Sequence, residues 1–124
     1  RIIWDAKVAQ ARRVLLCTGK VYYDLLAGRK AKKSADVAIV RIEQLYPLAD
    51  AHLAEALQRH KGAELVWVQE EPFNMGAWYH VNARWPAALG KLRCISRAES
   101  ASPATGSEKS HKYEQQLLVD QAFA

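Results

Sequence analysis

The chain of 124 residues is half hydrophobic and one quarter charged, the balance of a single globular domain that can bury an ordinary core without disulfides or metal. This composition excludes a disordered chain, and no apolar run approaches the length of a membrane span, so a soluble protein without a membrane partner is expected. The formal charge of +5 permits binding to polyanions, but the densest basic cluster, Arg29, Lys30, Lys32 and Lys33, falls at the expected end of a helix. No aromatic residues are interleaved with that cluster, and no nucleic-acid partner is expected.

The opening Arg1-Ile2-Ile3-Trp4-Asp5 carries neither a start methionine nor a targeting pattern, so the chain is expected to be the interior of a longer polypeptide. Val14 to Cys17 is an apolar run closed by Thr18-Gly19, and a strand is predicted over 13–18. Val21, Tyr22, Leu25 and Leu26 recur at helical spacing to about Ala31. Val37 to Ile42 predicts the second strand. After Pro47, a helix over 49–59 places Leu53 and Leu57 one turn apart and ends at Lys61-Gly62.

Leu65, Val66, Trp67 and Val68 form an apolar run without alternation, which suits a central strand buried on both faces. The polar cluster Gln69, Glu70 and Glu71 and then Pro72, which has no N–H to donate, are expected to end it. Asn74 is the expected N-cap of a helix carrying Trp78, Val81 and Trp85 on one face, with Gly76 giving the backbone room to turn. Leu92 to Ser96 predicts a fourth strand, and 99–106 a loop. Ser107 or Ser110 is expected to cap a last helix with Tyr113, Leu117 and Leu118 facing inward and Phe123 closing the chain. Alternating strands and helices predict an α/β fold: one domain over 1–124, a mostly parallel twisted sheet with helices on both faces and right-handed crossovers.

Few residues carry chemistry. Thr18-Gly19-Lys20 stands between a strand and a helix, but a phosphate loop needs a glycine where Val14 stands and a hydroxyl where Val21 stands. Glu70 and Glu71 could serve as acid and base, yet neighbours on an extended chain point opposite ways, and a structural or interface role is favoured. His52, His60, His80 and His111 are scattered without metal-ligand spacing. Cys17 and Cys94 read as buried free thiols, and no serine stands in a nucleophile elbow. By themselves the residues describe an α/β domain without a recognisable active site.

Four ordered strings nevertheless carry a resemblance: Val14 to Leu25, Arg41 to Leu48, Gln69 to Trp78 (Gln-Glu-Glu-Pro-Phe-Asn-Met-Gly-Ala-Trp) and Ser100 to Gly106, joined by the ending Lys112 to Phe123. Together they resemble the carboxyl-terminal domain of the thiamine-diphosphate-dependent, decarboxylating component of 2-oxoglutarate dehydrogenase, over essentially the whole chain. The resemblance implies a transketolase C-terminal-domain-like fold. It also implies that thiamine diphosphate and magnesium belong to upstream catalytic domains of the parent, so that no residue here is catalytic, cofactor-binding or metal-binding and this piece alone is inactive. The implied parent decarboxylates 2-oxoglutarate and passes the succinyl group to a lipoyl-bearing succinyltransferase, as a homodimer in a bacterial cytoplasm or a mitochondrial matrix. This domain would supply scaffolding and interface. The expected interface residues are Glu70, Glu71 and Asn74 on the acidic turn, with Arg97, Ser100 and Thr105 on the later loop. Two other readings remain open: an independent α/β enzyme using the strand-end glutamates, and a regulatory module binding a nucleotide or coenzyme A.

Overall fold

The structure, a computed structural model, describes residues 2, 3, 5, 7–45, 50–98 and 108–124. In chain order these form β1 (Ile2–Ile3), β2 (Arg13–Cys17), α1 (Val21–Lys32), β3 (Val37–Ile42), α2 (Asp50–Gln58), β4 (Glu64–Pro72), α3 (Trp78–Arg84), a 3-10 turn at Ala87–Leu89, β5 (Leu92–Arg97) and α4 (Glu108–Phe123). The five strands make one sheet in the order β1-β3-β2-β4-β5. All pairings are parallel except β1 with β3, where Ile2 stands opposite Ile42 and Ile3 opposite Arg41. The α/β alternation and the mostly parallel sheet are as expected. β1 was not anticipated, because two residues are too few to carry a period.

The unbroken apolar runs of β2, β3 and β4 send alternate side chains to opposite faces, and each face has its own core. Val14, Leu16, Val40 and Trp67 join Leu53 and Leu57 of α2 and Trp78 and Val81 of α3. Leu15, Cys17, Ile39, Val66 and Val68 join Val21 and Leu25 of α1 and Leu118, Val119, Ala122 and Phe123 of α4. From β2 the chain steps outward to β3, then returns past β2 to reach β4. Right-handed crossovers for two steps in opposite directions require α1 and α2 on opposite faces, as found.

α1 and α4 approach closely at Gly28. A Cβ there would overlap Val119 Cγ1 and stand 3.2 Å from Phe123 Cε2. Gly28→Ala gains up to about 1 kcal/mol of helix propensity but overpacks this contact by about 1–3 kcal/mol, so a net loss of about 1 kcal/mol is expected. Urea unfolding measures it, and adding Val119→Ala should cost less than the sum of the two single changes.

Three expectations about the helices are corrected, while β4 runs through the polar cluster and ends at Pro72, the residue expected to stop it, which stands opposite Arg97 after a register shift from the Val68–Ile95 pair. At a bulged strand end no ladder N–H is required of the proline. Asn74 does not cap α3: the N-cap position is Ala77, and Asn74 is exposed. Tyr113 and Leu117 do not face inward but are 66% and 42% exposed, while α4 buries Leu118, Val119, Ala122 and Phe123. Tyr113 lies five residues before Leu118 and hence about 140° round the helix, off the buried face. Ser110 lies inside α4 rather than at its cap. Ser107, the loop predicted over 99–106, and with it Ser100 and Thr105, lie outside the described residues.

Candidate functional site

The loops after β2 and after β4 leave toward opposite faces, since α1 packs on one core and α3 on the other. In an open α/β sheet that divergence opens a crevice at the carboxyl ends of the two strands, the usual position of a ligand. Here Gly19 and Lys20 stand on one side of it, and Gln69, Glu70 and Glu71 on the other.

The crevice is bridged by side chains. Lys20 Nζ lies 3.0 Å from Glu70 Oε1. Gln115 of α4 donates from Nε2 to the same Glu70 oxygen at 3.0 Å and to Asp24 Oδ2 at 2.7 Å. Arg97, at the end of β5, donates to Gln115 Oε1 and lies 3.4 Å from Glu114 Oε2 and 3.2 Å from His111 Nδ1. Glu70 and Arg97 therefore hold α4 against the strand ends. Glu71, the next residue on the extended strand, points the other way and is exposed, its carboxylate lying over Gly76. The two glutamates do not share a reacting atom.

Gln69 is the residue that sequence reasoning passed over. Its side chain is buried and makes contacts on every side. Oε1 accepts from Trp67 Nε1 and from the Trp78 backbone N–H, both at 3.0 Å, while Nε2 donates to the carbonyls of Pro72 (2.9 Å) and Met75 (2.7 Å), with Glu71 O at 3.3 Å. One amide thus satisfies the indole of the central strand, supplies the acceptor that Ala77 cannot offer to the first turn of α3, and fixes the intervening turn. The turn also requires Gly76, whose φ is +72° and whose missing Cβ would stand 3.1 Å from Gln69 Oε1. The only advance sign of this arrangement was an uncharged polar residue continuing a buried run.

The turn so held presents apolar side chains to solvent. Phe73, Met75 and Tyr79 are 39%, 58% and 55% exposed. The Phe73 ring meets Tyr79 edge-on at 5.6 Å and Trp78 at 6.1 Å. At the end of β3, Arg41 lies over the rings of Tyr22 and Tyr23 and donates to the Tyr23 hydroxyl at 3.2 Å.

Among the described residues, neither thiol is activated and two of the histidines are engaged away from the crevice. Burial pushes the Cys17 thiol up to about 12 and the Cys94 thiol to about 11, so neither is a thiolate near neutrality. His60 is buried away from the crevice, accepting the Ala11 N–H at Nδ1 (3.0 Å), and burial lowers its basicity. His80 Nε2 lies 3.0 Å from Leu45 O. Among the described residues no three His, Cys, Asp or Glu side chains are grouped to hold a metal ion, and no helix is long and apolar enough to cross a membrane.

Residues 1–123 match the family described as 2-oxoglutarate dehydrogenase C-terminal. The chain belongs to this family. It is 44% identical over 117 residues to the 2-oxoglutarate dehydrogenase E1 component of Haemophilus influenzae, a match covering 91% of the chain and 12% of that protein. It is 45% identical to the E1 component of Azotobacter vinelandii over 121 residues, 92% of the chain and 13% of the relative. A Mycobacterium sp. (strain JLS) protein named multifunctional 2-oxoglutarate metabolism enzyme is 45% identical over 125 residues, 97% of the chain and 10% of the relative. The chain thus spans roughly a tenth of the length of these curated members, and the family's description puts that tenth at the carboxyl end.

Proposed function

We propose that residues 1–124 form the noncatalytic carboxyl-terminal interface domain of a longer 2-oxoglutarate dehydrogenase chain. The parent would carry out oxidative decarboxylation of 2-oxoglutarate and pass the succinyl group to a lipoyl-bearing succinyltransferase, as a homodimer in a bacterial cytoplasm. The observation that carries this reading is the bridged crevice. The place where an α/β sheet ordinarily takes a ligand is spanned by Lys20, Glu70 and Gln115, and its charges are engaged in holding α1, β4 and α4 together.

Thiamine diphosphate and magnesium do not fit the residues present. A diphosphate needs a cradle of backbone amides, and Gly19 is a lone glycine beside a lysine already paired with Glu70. A divalent cation needs several oxygen ligands, and the described residues offer no such group. We assign both groups to the upstream catalytic domains, together with every chemical step of the reaction.

Charge reversal in the full-length parent tests the interface role. Glu71→Lys, at an exposed carboxylate, is expected to weaken assembly or turnover by about fivefold, the effect of about 1 kcal/mol at an interface rim. Glu70→Lys should also loosen the domain itself, and Lys20→Glu in the same chain should restore the internal pair but not the interface. Unchanged dimerisation and turnover in Glu71→Lys and in the doubly exchanged chain would sink the reading.

A further inference from the structure

Among the described residues, the turn between β4 and α3 and the start of α3 expose three large apolar side chains close together in sequence. Phe73 and Met75 stand on the turn and Tyr79 follows in the first turn of α3 against the Phe73 ring, and the backbone of the turn is firmly held. Gln69 binds its carbonyls from beneath, Gly76 sets its bend, and Phe73 packs on Trp78 and Tyr79. Rings already packed on one another, as Phe73 and Tyr79 are, lose little entropy when a partner covers them, which is the character of an interface anchor, while Met75 adds an adaptable apolar side chain beside them. Exposed Glu71 and Asn74 border the patch.

The fold also indicates which partner reaches this turn. β1 runs antiparallel to β3 with Ile2 opposite Ile42, so polypeptide preceding residue 2 arrives at the carboxyl edge of the sheet, the edge that carries the turn. Ile2 packs on the same core as Leu45, Ala77 and Trp78, and α3 touches the segment after β3 through His80 and Leu45. The family members of similar sequence carry roughly nine-tenths of their length outside the matched region. Of the other exposed large apolar side chains among the described residues, Tyr113 and Leu117 lie on α4, across the sheet from the core that holds Ile2, and Tyr23 on α1 is already engaged by Arg41.

We propose that Phe73, Met75 and Tyr79 form the apolar anchor against which the preceding polypeptide of the parent docks, through an apolar surface rimmed by a cation facing Glu71. This rests on the reading of the chain as the end of a longer one, and it names the contact that reading leaves open. Gln69 then acts as a positioning residue, shaping the turn without touching the partner.

Hydroxyl-radical footprinting of the full-length parent tests the anchor, with Met75 as a clean reporter because it is the only methionine in residues 1–124. Phe73, Met75 and Tyr79 should be protected well beyond the partial burial they have within residues 1–124 alone, where they are 39%, 58% and 55% exposed. A photo-crosslinker replacing Met75 should attach to the preceding polypeptide, in the same protomer or its partner. Full labelling of the turn overturns the proposal. If labelling is instead lost at Lys20, Tyr113 or Leu117, the interface reading survives without this anchor; if nothing in residues 1–124 is protected, both fall. Crosslinks landing in a second copy's residues 1–124, or in a different protein, overturn the assignment of the partner.

Discussion

Replacing Gln69 by leucine should destabilise the domain by about 3 kcal/mol, a large part of the roughly 5–15 kcal/mol that holds a domain of this size together. Leucine nearly matches glutamine in volume, so no large cavity opens, and the loss is polar. The Trp67 indole N–H, in a fully buried ring, and the Trp78 backbone N–H both lose their acceptor. A buried donor left alone costs about 1–3 kcal/mol, and the carbonyls of Pro72 and Met75 lose their donor as well, though these lie on a turn that water can reach. Urea unfolding should show a lower midpoint with an unchanged slope. Gln69→Glu sharpens the test. One carboxylate oxygen can still accept from both N–H groups, but the other faces two carbonyls, so the charged form is disfavoured in the folded state and its pKa there should rise above the ordinary value of about 4.3. The folded state then binds more protons than the unfolded one, so this variant should gain stability as pH falls from neutrality toward that ordinary value. A variant that instead loses stability steadily over that range would show that the amide is not held as described.

Asp5→Ala should cost a similar amount, about 3 kcal/mol, through a different mechanism. The Asp5 carboxylate pairs with Arg29 Nη1, and both side chains are largely buried, 6% and 13% exposed. The same Asp5 oxygen accepts the Ile39 N–H at 3.0 Å, serving an edge position of β3 just past the short β1. Arg29 also donates to Val37 O at 3.1 Å. Removing the carboxylate strands a guanidinium in the interior and leaves the Ile39 donor unmet, whereas replacing both charged partners by leucine removes the stranded charge. The double change should therefore be less damaging than Asp5→Ala alone. If the single and double variants unfold alike, the pair is not the source of the stability.

Much of this architecture was legible because the apolar runs of β2, β3 and β4 are long and the intervening helices repeat at helical spacing. The acidic pair could also be read correctly as divergent, since strand geometry alone sends Glu70 and Glu71 to opposite sides. The carboxyl-edge site was legible only in outline. Pro72 looked like a terminator and Asn74 like a cap, both sound local rules. A tertiary amide overrode the second: Gln69 reached across nine residues to do what Asn74 would have done. α4 misled for a related reason, because its apolar residues outnumber those its phase can bury, and spacing alone did not decide which face met α1. Arg29 read as part of a solvated basic end, yet it turned inward to Asp5, a partner 24 residues away.

By itself the sequence determined every element but β1 and the 3-10 turn, their order and the layered class of the fold, because periodicity and apolar runs act over a few residues and need no knowledge of neighbours. Only the tertiary structure decided that the crevice between β2 and β4 is bridged rather than open, and that the aromatic turn is fixed from beneath. Those outcomes depend on hydrogen bonds and ion pairs between residues far apart in the chain, whose strength comes from burial and close approach, and neither is written in any local pattern.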